Sequence, residues 1–151
     1  MHQRTIACRL IGACAVLAAV LAAGAASALQ LITTSEAALP ADHSHYRGIS
    51  RGPTVAVVSP LPGAGSIKSP LHLKIKFQPH GAAKIDVDSV LLTYMKEPTV
   101  DLTQRIKPYI TAGGIDVEDA EVPPGTHTLR LNIADSDGHT STTDLTFSVS
   151  K

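Results

Sequence analysis

The stretch Pro123–Val149, PPGTHTLRLNIADSDGHTSTTDLTFSV, decides the fold. From Thr126 to Ala134 apolar and polar residues alternate, with Leu129, Leu131 and Ile133 on one side and Thr128, Arg130 and Asn132 on the other. Alternation at period two is the mark of a strand with one dry and one wet face. Ser136-Asp137-Gly138 breaks the pattern with turn chemistry, since Asp bonds its own backbone and Gly permits positive φ. Leu145, Phe147 and Val149 then resume it. Two matched runs around a glycine-containing turn predict a β-hairpin, entered through a Pro123-Pro124-Gly125 corner.

The same reading extends backwards. Pro70–Gln78 (PLHLKIKFQ) puts Leu71, Leu73, Ile75 and Phe77 on one face and His72, Lys74, Lys76 and Gln78 on the other. One wet face argues for an antiparallel sheet packed on a second layer. Thr54–Ser59 (TVAVVS) is a β-branched strand closed by Pro60, and Ser89–Met95 (SVLLTYM) is apolar on both sides, which predicts a central strand. Residues 115–122 form a ragged strand whose parity shifts between Val117 and Ala120, the signature of a bulge. Asp101 and Gln104 make a capping signal, and Leu102, Arg105, Ile106 and Tyr109 follow helical spacing until Pro108. One short helical turn is therefore expected near 101–107.

The first 28 residues set the compartment. Arg4 and Arg9 precede an apolar run from Leu10 to about Ala23, and Ala26-Ser27-Ala28 offers small residues before a cut. That is the layout of a signal peptide, with a mature chain from Leu29. An uncleaved anchor, or lipidation at Cys14 in Ile11-Gly12-Ala13-Cys14, are the rival readings. Both cysteines, Cys8 and Cys14, fall in this leader. The mature chain thus has no disulfide and no thiolate chemistry. Its eleven Lys and Arg face thirteen Asp and Glu, a net of −2, which does not suit a nucleic-acid binder. Residues 29–52 show no sustained period and read as a flexible linker, leaving 53–151 as one domain with no membrane span after cleavage.

Pro-Gly-Thr-His-Thr-Leu-Arg-Leu-Asn-Ile-Ala-Asp-Ser-Asp-Gly, followed by alternation to Phe147-Ser148-Val149, resembles the last two strands of bacterial Ig-like domains. Ile85-Asp86-Val87-Asp88-Ser89-Val90 and Asp101-Leu102-Thr103 resemble small exported proteins of that kind. The resemblance covers about Pro53 to Val149. It implies an all-β, immunoglobulin-like antiparallel β-sandwich of about seven strands, acting in the periplasm or outside the cell. The role it implies is a non-catalytic binding, structural or adhesion module with a protein or cell-envelope partner.

Asp137-Gly138-His139 with Phe147-Ser148-Val149 also resembles the tail of CopC-type periplasmic copper carriers. That resemblance implies Cu(II) held by the Asp and His of this turn together with a His at the mature N-terminus. This chain departs from the pattern: its expected N-terminus is Leu29, and Met95 is the only methionine past the leader. Read from the residues, Asp137 and His139 could ligate Cu or Zn, with His43 and His45 adding imidazoles from the linker. The alternative is a solvated turn and a polar linker, with no cofactor. Asp135-Ser136-Asp137-Gly138 also hints at calcium, with fewer oxygens than such a loop needs. No nucleophile elbow, phosphate-cradling glycine loop or His-Glu-x-x-His occurs, and no enzyme is expected.

Overall fold

A computed structural model describes residues 28–44 and 50–151. The expected signal peptide, apart from its last residue, and His45 lie outside the described residues. In chain order the elements are β1 (Leu29–Gln30), α1 (Thr34–Ala37), β2 (Thr54–Ser59), β3 (Ser66–Ile67), β4 (Leu71–Gln78), β5 (Ile85–Tyr94) and β6 (Val100–Asp101). There follow α2 (Thr103–Ile106), a 3₁₀ turn (Lys107–Tyr109), β7 (Ile110–Thr111), β8 (Gly114–Glu121), β9 (Gly125–Asp135) and β10 (Thr140–Val149). They form two five-stranded sheets. One has the order β1-β8-β4-β2, with β7 also on β8; the other has the order β3-β10-β9-β5-β6.

The all-β reading holds. Leu71, Leu73, Ile75 and Phe77 of β4 meet Leu129, Leu131 and Ile133 of β9 and Leu145, Phe147 and Val149 of β10 in one buried cluster. The hairpin pairs Leu145 with Leu129 and Ser141 with Ile133, so each expected inward residue faces the core. The bulge lies where the parity shift put it. Leu71 pairs with Ala120 but Leu73 with Val117, leaving an extra residue on β8. Close pairing of β4 and β8 depends on Gly114. Its φ is +144°, and a Cβ there would lie 2.0 Å from the Ile75 carbonyl oxygen.

Other expectations are corrected. Ten strands are present among the described residues, not seven, because β1, β3, β6 and β7 have two residues each and show no period. The sheets are mixed rather than purely antiparallel, since β1 runs parallel to β8 and β3 parallel to β10. β5 begins at Ile85 and has only the short β6 on its outer side, and its Leu91 is exposed. Its double apolar character therefore does not mark a strand covered on both faces. In the helical turn Leu102, not Asp101, occupies the N-cap position, while Asp101 Oδ1 accepts from the Thr103 N–H at 2.8 Å. Pro108 sits inside the following 3₁₀ turn, where a missing N–H is tolerated, instead of ending the helix before it.

The main correction concerns residues 29–52. Far from a flexible linker, residues 29–42 are built into the sandwich. Leu31 and Ile32 are fully buried, and both donate their N–H to the Glu121 carbonyl. Burial of two such side chains supplies about 3–6 kcal/mol. Thr33 and Glu36 close a capping box on α1. Pro40, Ala41 and Asp42 then bond to the 95–97 backbone.

Candidate functional site

The Asp137–His139 turn was the first candidate, and its chemistry is organised by a neighbour. β9 and β10 project the four residues 136–139 from their ends. Period-two alternation carries Asp135 to the inward side, where it is buried. Its Oδ1 accepts the N–H groups of Asp137 (3.0 Å) and His139 (2.9 Å), and its Oδ2 lies 3.3 Å from His139 Nδ1. The Asp135 N–H donates to the His139 carbonyl at 3.0 Å, and Gly138 takes φ of +82° to complete the loop. Burial pushes the Asp135 carboxyl up, and the three bonds from the loop outweigh it, so it stays ionised below the usual carboxylate range. Asp135 thus spends Oδ1 on the loop's backbone and Oδ2 on the His139 ring. Asp137 and His139 are exposed at the tip.

The arm reaches this turn through Ser50 and Gly52. Gly52 packs so closely on the His139–Thr140 backbone that a Cβ would fall 2.5 Å from the Thr140 carbonyl carbon. Ser50 Oγ donates to the Thr140 carbonyl at 2.9 Å. His43 lies elsewhere. Asp42 caps Ser44, and the Ser44 carbonyl accepts from Arg130 at 2.7 Å, halfway along β9. Five residues of strand separate Arg130 from Asp135, roughly 16 Å. His43 is therefore not brought to Asp137 and His139. Among the described residues no group of three or more His, Cys, Asp or Glu side chains is placed to hold a metal.

A second constellation is buried. Tyr94 of β5, His127 of β9 and Lys96 link the core to the arm. His127 Nε2 lies 2.8 Å from the Pro123 carbonyl, which can only accept, so Nε2 carries the proton. Nδ1 is then free to accept the Tyr94 hydroxyl proton at 2.8 Å. Burial, opposed by the Pro123 bond, lowers the His127 pKa and keeps the ring neutral. Burial pushes the Tyr94 hydroxyl up to about 12. Lys96 Nζ sits 5.3 Å from the Tyr94 ring centroid and donates to the Ala37 and Leu39 carbonyls, 2.9 Å each, which α1 leaves unpaired at its end. Arg105 of α2 completes the grip on the arm. It forms a bidentate pair with Glu36 at 2.9 and 2.6 Å and donates to the Leu31 carbonyl at 2.8 Å. These bonds hold the Glu36 carboxyl down at about 2.

On the outer face of the first sheet the basic row of β4 meets the acidic row of β8. Lys74 lies directly opposite Asp116, and both Lys74 Nζ and His72 Nε2 contact its carboxylate at 2.5 Å. His72 and Asp116 are exposed and Lys74 is half-buried, so the cluster is a cross-strand charge pairing of little energetic weight. The surface grooves are open to solvent. The largest of the five described, 740 Å³, lies beside β10 and is lined by Gly63, Ser66, Asp144, Thr146 and Ser148 among others. Glu36, Tyr94 and His127 line neither it nor the four smaller grooves.

No known protein-family model, curated protein or solved structure matches this chain. The reading of its surface therefore rests on the residues themselves. The burial of His127 and Asp135 is not among the expectations drawn from the sequence, although strict alternation from Leu129 and Ile133 already turns both inward. Thr33-Thr34-Ser35-Glu36 carried a capping-box signature that the absence of a following apolar period hid.

Proposed function

We propose that this chain is an exported, non-catalytic module of the Ig-like sandwich kind, which works by presenting its loops and sheet edges to a protein or cell-envelope partner. One observation carries the non-catalytic reading. Catalytic sites place groups with altered protonation in a cleft. Here Glu36, Tyr94 and His127 are each bonded to another part of the fold and line none of the five grooves described, while Asp116, whose carboxyl is held down by Lys74 and His72, lines one of them only as part of an exposed charge pairing. Their shifted protonation serves to tie the arm and the Pro123 corner to the core.

Two features support export. Both cysteines lie in the leader-like segment, so the remainder folds identically in oxidising and reducing surroundings. The first described strand begins at Leu29, so a cut after Ala28 leaves every described element intact. Among the described residues no helix is long and apolar enough to cross a membrane. The test is to express the full chain with a C-terminal tag in a bacterial host, fractionate the cells and determine the intact mass. The expected species starts at Leu29 and lies outside the cytoplasm. A full-length cytosolic product would overturn the export reading.

A further inference from the structure

We infer that His127, Tyr94 and Lys96 form an acid-released latch: a proton taken up at His127 Nδ1 lets residues 37–42 of the arm leave the core while the two sheets stay closed. Lys96 is the tie. Only 7% of it is exposed, and its Nζ donates to the Ala37 and Leu39 carbonyls at 2.9 Å each. Among the described residues no carboxylate pairs with this ammonium, and its other neighbour is the Tyr94 ring, with the centroid 5.3 Å away. Two backbone bonds run beside the tie. The Asp42 N–H donates to the Met95 carbonyl at 3.2 Å, and the Glu97 N–H donates to the Pro40 carbonyl at 3.0 Å.

The Tyr94 ring also lies against His127, with centroids 5.7 Å apart, so the buried ammonium and the buried imidazole share one aromatic neighbour. The imidazole has one site for a further proton, Nδ1, because Nε2 already donates to the Pro123 carbonyl. Protonation there has two effects. Nδ1 becomes a donor, so the buried Tyr94 hydroxyl loses the acceptor of its own proton. A second positive charge also arises beside the ring that Lys96 lies on, where burial limits screening. Among the described residues no free carboxylate offsets that charge. β10 brings only the Phe147 ring to His127, and the corner brings only the Pro123 carbonyl. Glu36, whose charge is felt at Tyr94, is engaged by Arg105. Tyr94 and His127 are fixed in β5 and β9, whereas Lys96 has a flexible stem that can carry its charge to solvent. The Ala37 and Leu39 carbonyls then lose their donor, and the end of α1 loses its hold. Leu31, Ile32 and Glu36 are held by Glu121 and Arg105 instead, so the first half of the arm stays in place.

The test is solvent-exchange NMR on the protein produced from the full-length chain, at pH 7 and pH 5, corrected for the intrinsic effect of pH on exchange. The Leu39, Asp42 and Glu97 amides should lose protection about fivefold or more at pH 5. That loss should not change with urea below about 1 M, because local opening exposes little surface, whereas exchange at Leu129 and Leu131 should follow urea. His127→Gln, which takes up no proton in this range, should show no such loss. Coupling runs both ways, so in Lys96→Met the His127 ring should titrate at a higher pH than in wild type. This second readout does not depend on how His127→Gln folds. Unchanged protection at pH 5, or a loss that persists in His127→Gln, would overturn the proposal. So would a loss that grows with urea as at Leu129 and Leu131, or a His127 titration indifferent to Lys96→Met.

Discussion

Replacing Glu36 by Gln tests how the arm is held. The substitution keeps the shape and an oxygen to accept from the Thr33 N–H, and removes the charge that faces Arg105 together with the second acceptor of the bidentate pair. In the folded chain the guanidinium bonds are the largest cause lowering the Glu36 pKa from 4.5 to about 2, against the opposing effect of burial. At about 1.4 kcal/mol per pH unit, that difference corresponds to roughly 3–4 kcal/mol. Both side chains keep some solvent contact, 17% for Glu36 and 31% for Arg105, so screening reduces the expected loss to about 1–3 kcal/mol. The sign follows from the lowered pKa. The stabilisation is complete above pH 4.5 and disappears as pH falls from 4.5 toward 2. The gap between wild type and Glu36→Gln should therefore be largest at pH 7 and much smaller at pH 2.5. Other carboxylates titrate in both proteins and cancel from the difference. Urea unfolding followed by circular dichroism measures the global effect. Amide exchange at Leu31 and Ile32, whose N–H groups bond to the Glu121 carbonyl, measures local release of the arm. A gap of equal size at both pH values, or unchanged protection at Leu31 and Ile32 with no global loss, would refute the reasoning.

Three further outcomes are expected. His127 has a folded pKa below its ordinary 6.5, so stability should be full above pH 6.5 and decline below it, by up to about 1.4 kcal/mol per pH unit. His127→Gln should flatten the urea-derived stability between pH 6.5 and 5 relative to wild type, and equal slopes would count against the buried neutral imidazole. Gly114→Ala should cost more than about 3 kcal/mol, because its Cβ would meet the Ile75 backbone, while Gly138→Ala, with positive φ but open space, should cost only about 1–2 kcal/mol; urea midpoints of the two variants rank them. Calorimetric titration with Cu(II) should show no sub-micromolar 1:1 site that depends on His139, since Asp135 is engaged by the turn and His43 lies along β9; such a site, lost in His139→Ala, would restore the copper-carrier reading.

Strands β2, β4, β9 and β10 were legible because each is long enough to show period two and has one face in the core. The bulge between Val117 and Ala120 was legible for the same reason: it interrupts a pattern already established. The arm was not legible. Leu31 and Ile32 enter the core from a two-residue strand, and so short an element has no period. Its place comes from groups far along the chain, Glu121 through its carbonyl, Arg105 through Glu36 and Lys96 through the end of α1.

The turn shows the same division within four residues. Ser136-Asp137-Gly138-His139 declares a turn by local backbone chemistry, which neighbours in sequence suffice to dictate. Which carboxylate has oxygens left for a ligand depends on which one the sandwich buries, and the sheet turned Asp135 inward to close the loop on itself. By itself the sequence determined the β class, the hairpin and its inward residues, because alternation is a property of consecutive side chains. Tertiary structure alone decided that 29–42 belong to the core and that β2 is the outer strand beside β4 in the first sheet. Both depend on which strands become neighbours across the sheet, a matter settled only when the two layers close on a shared apolar interior.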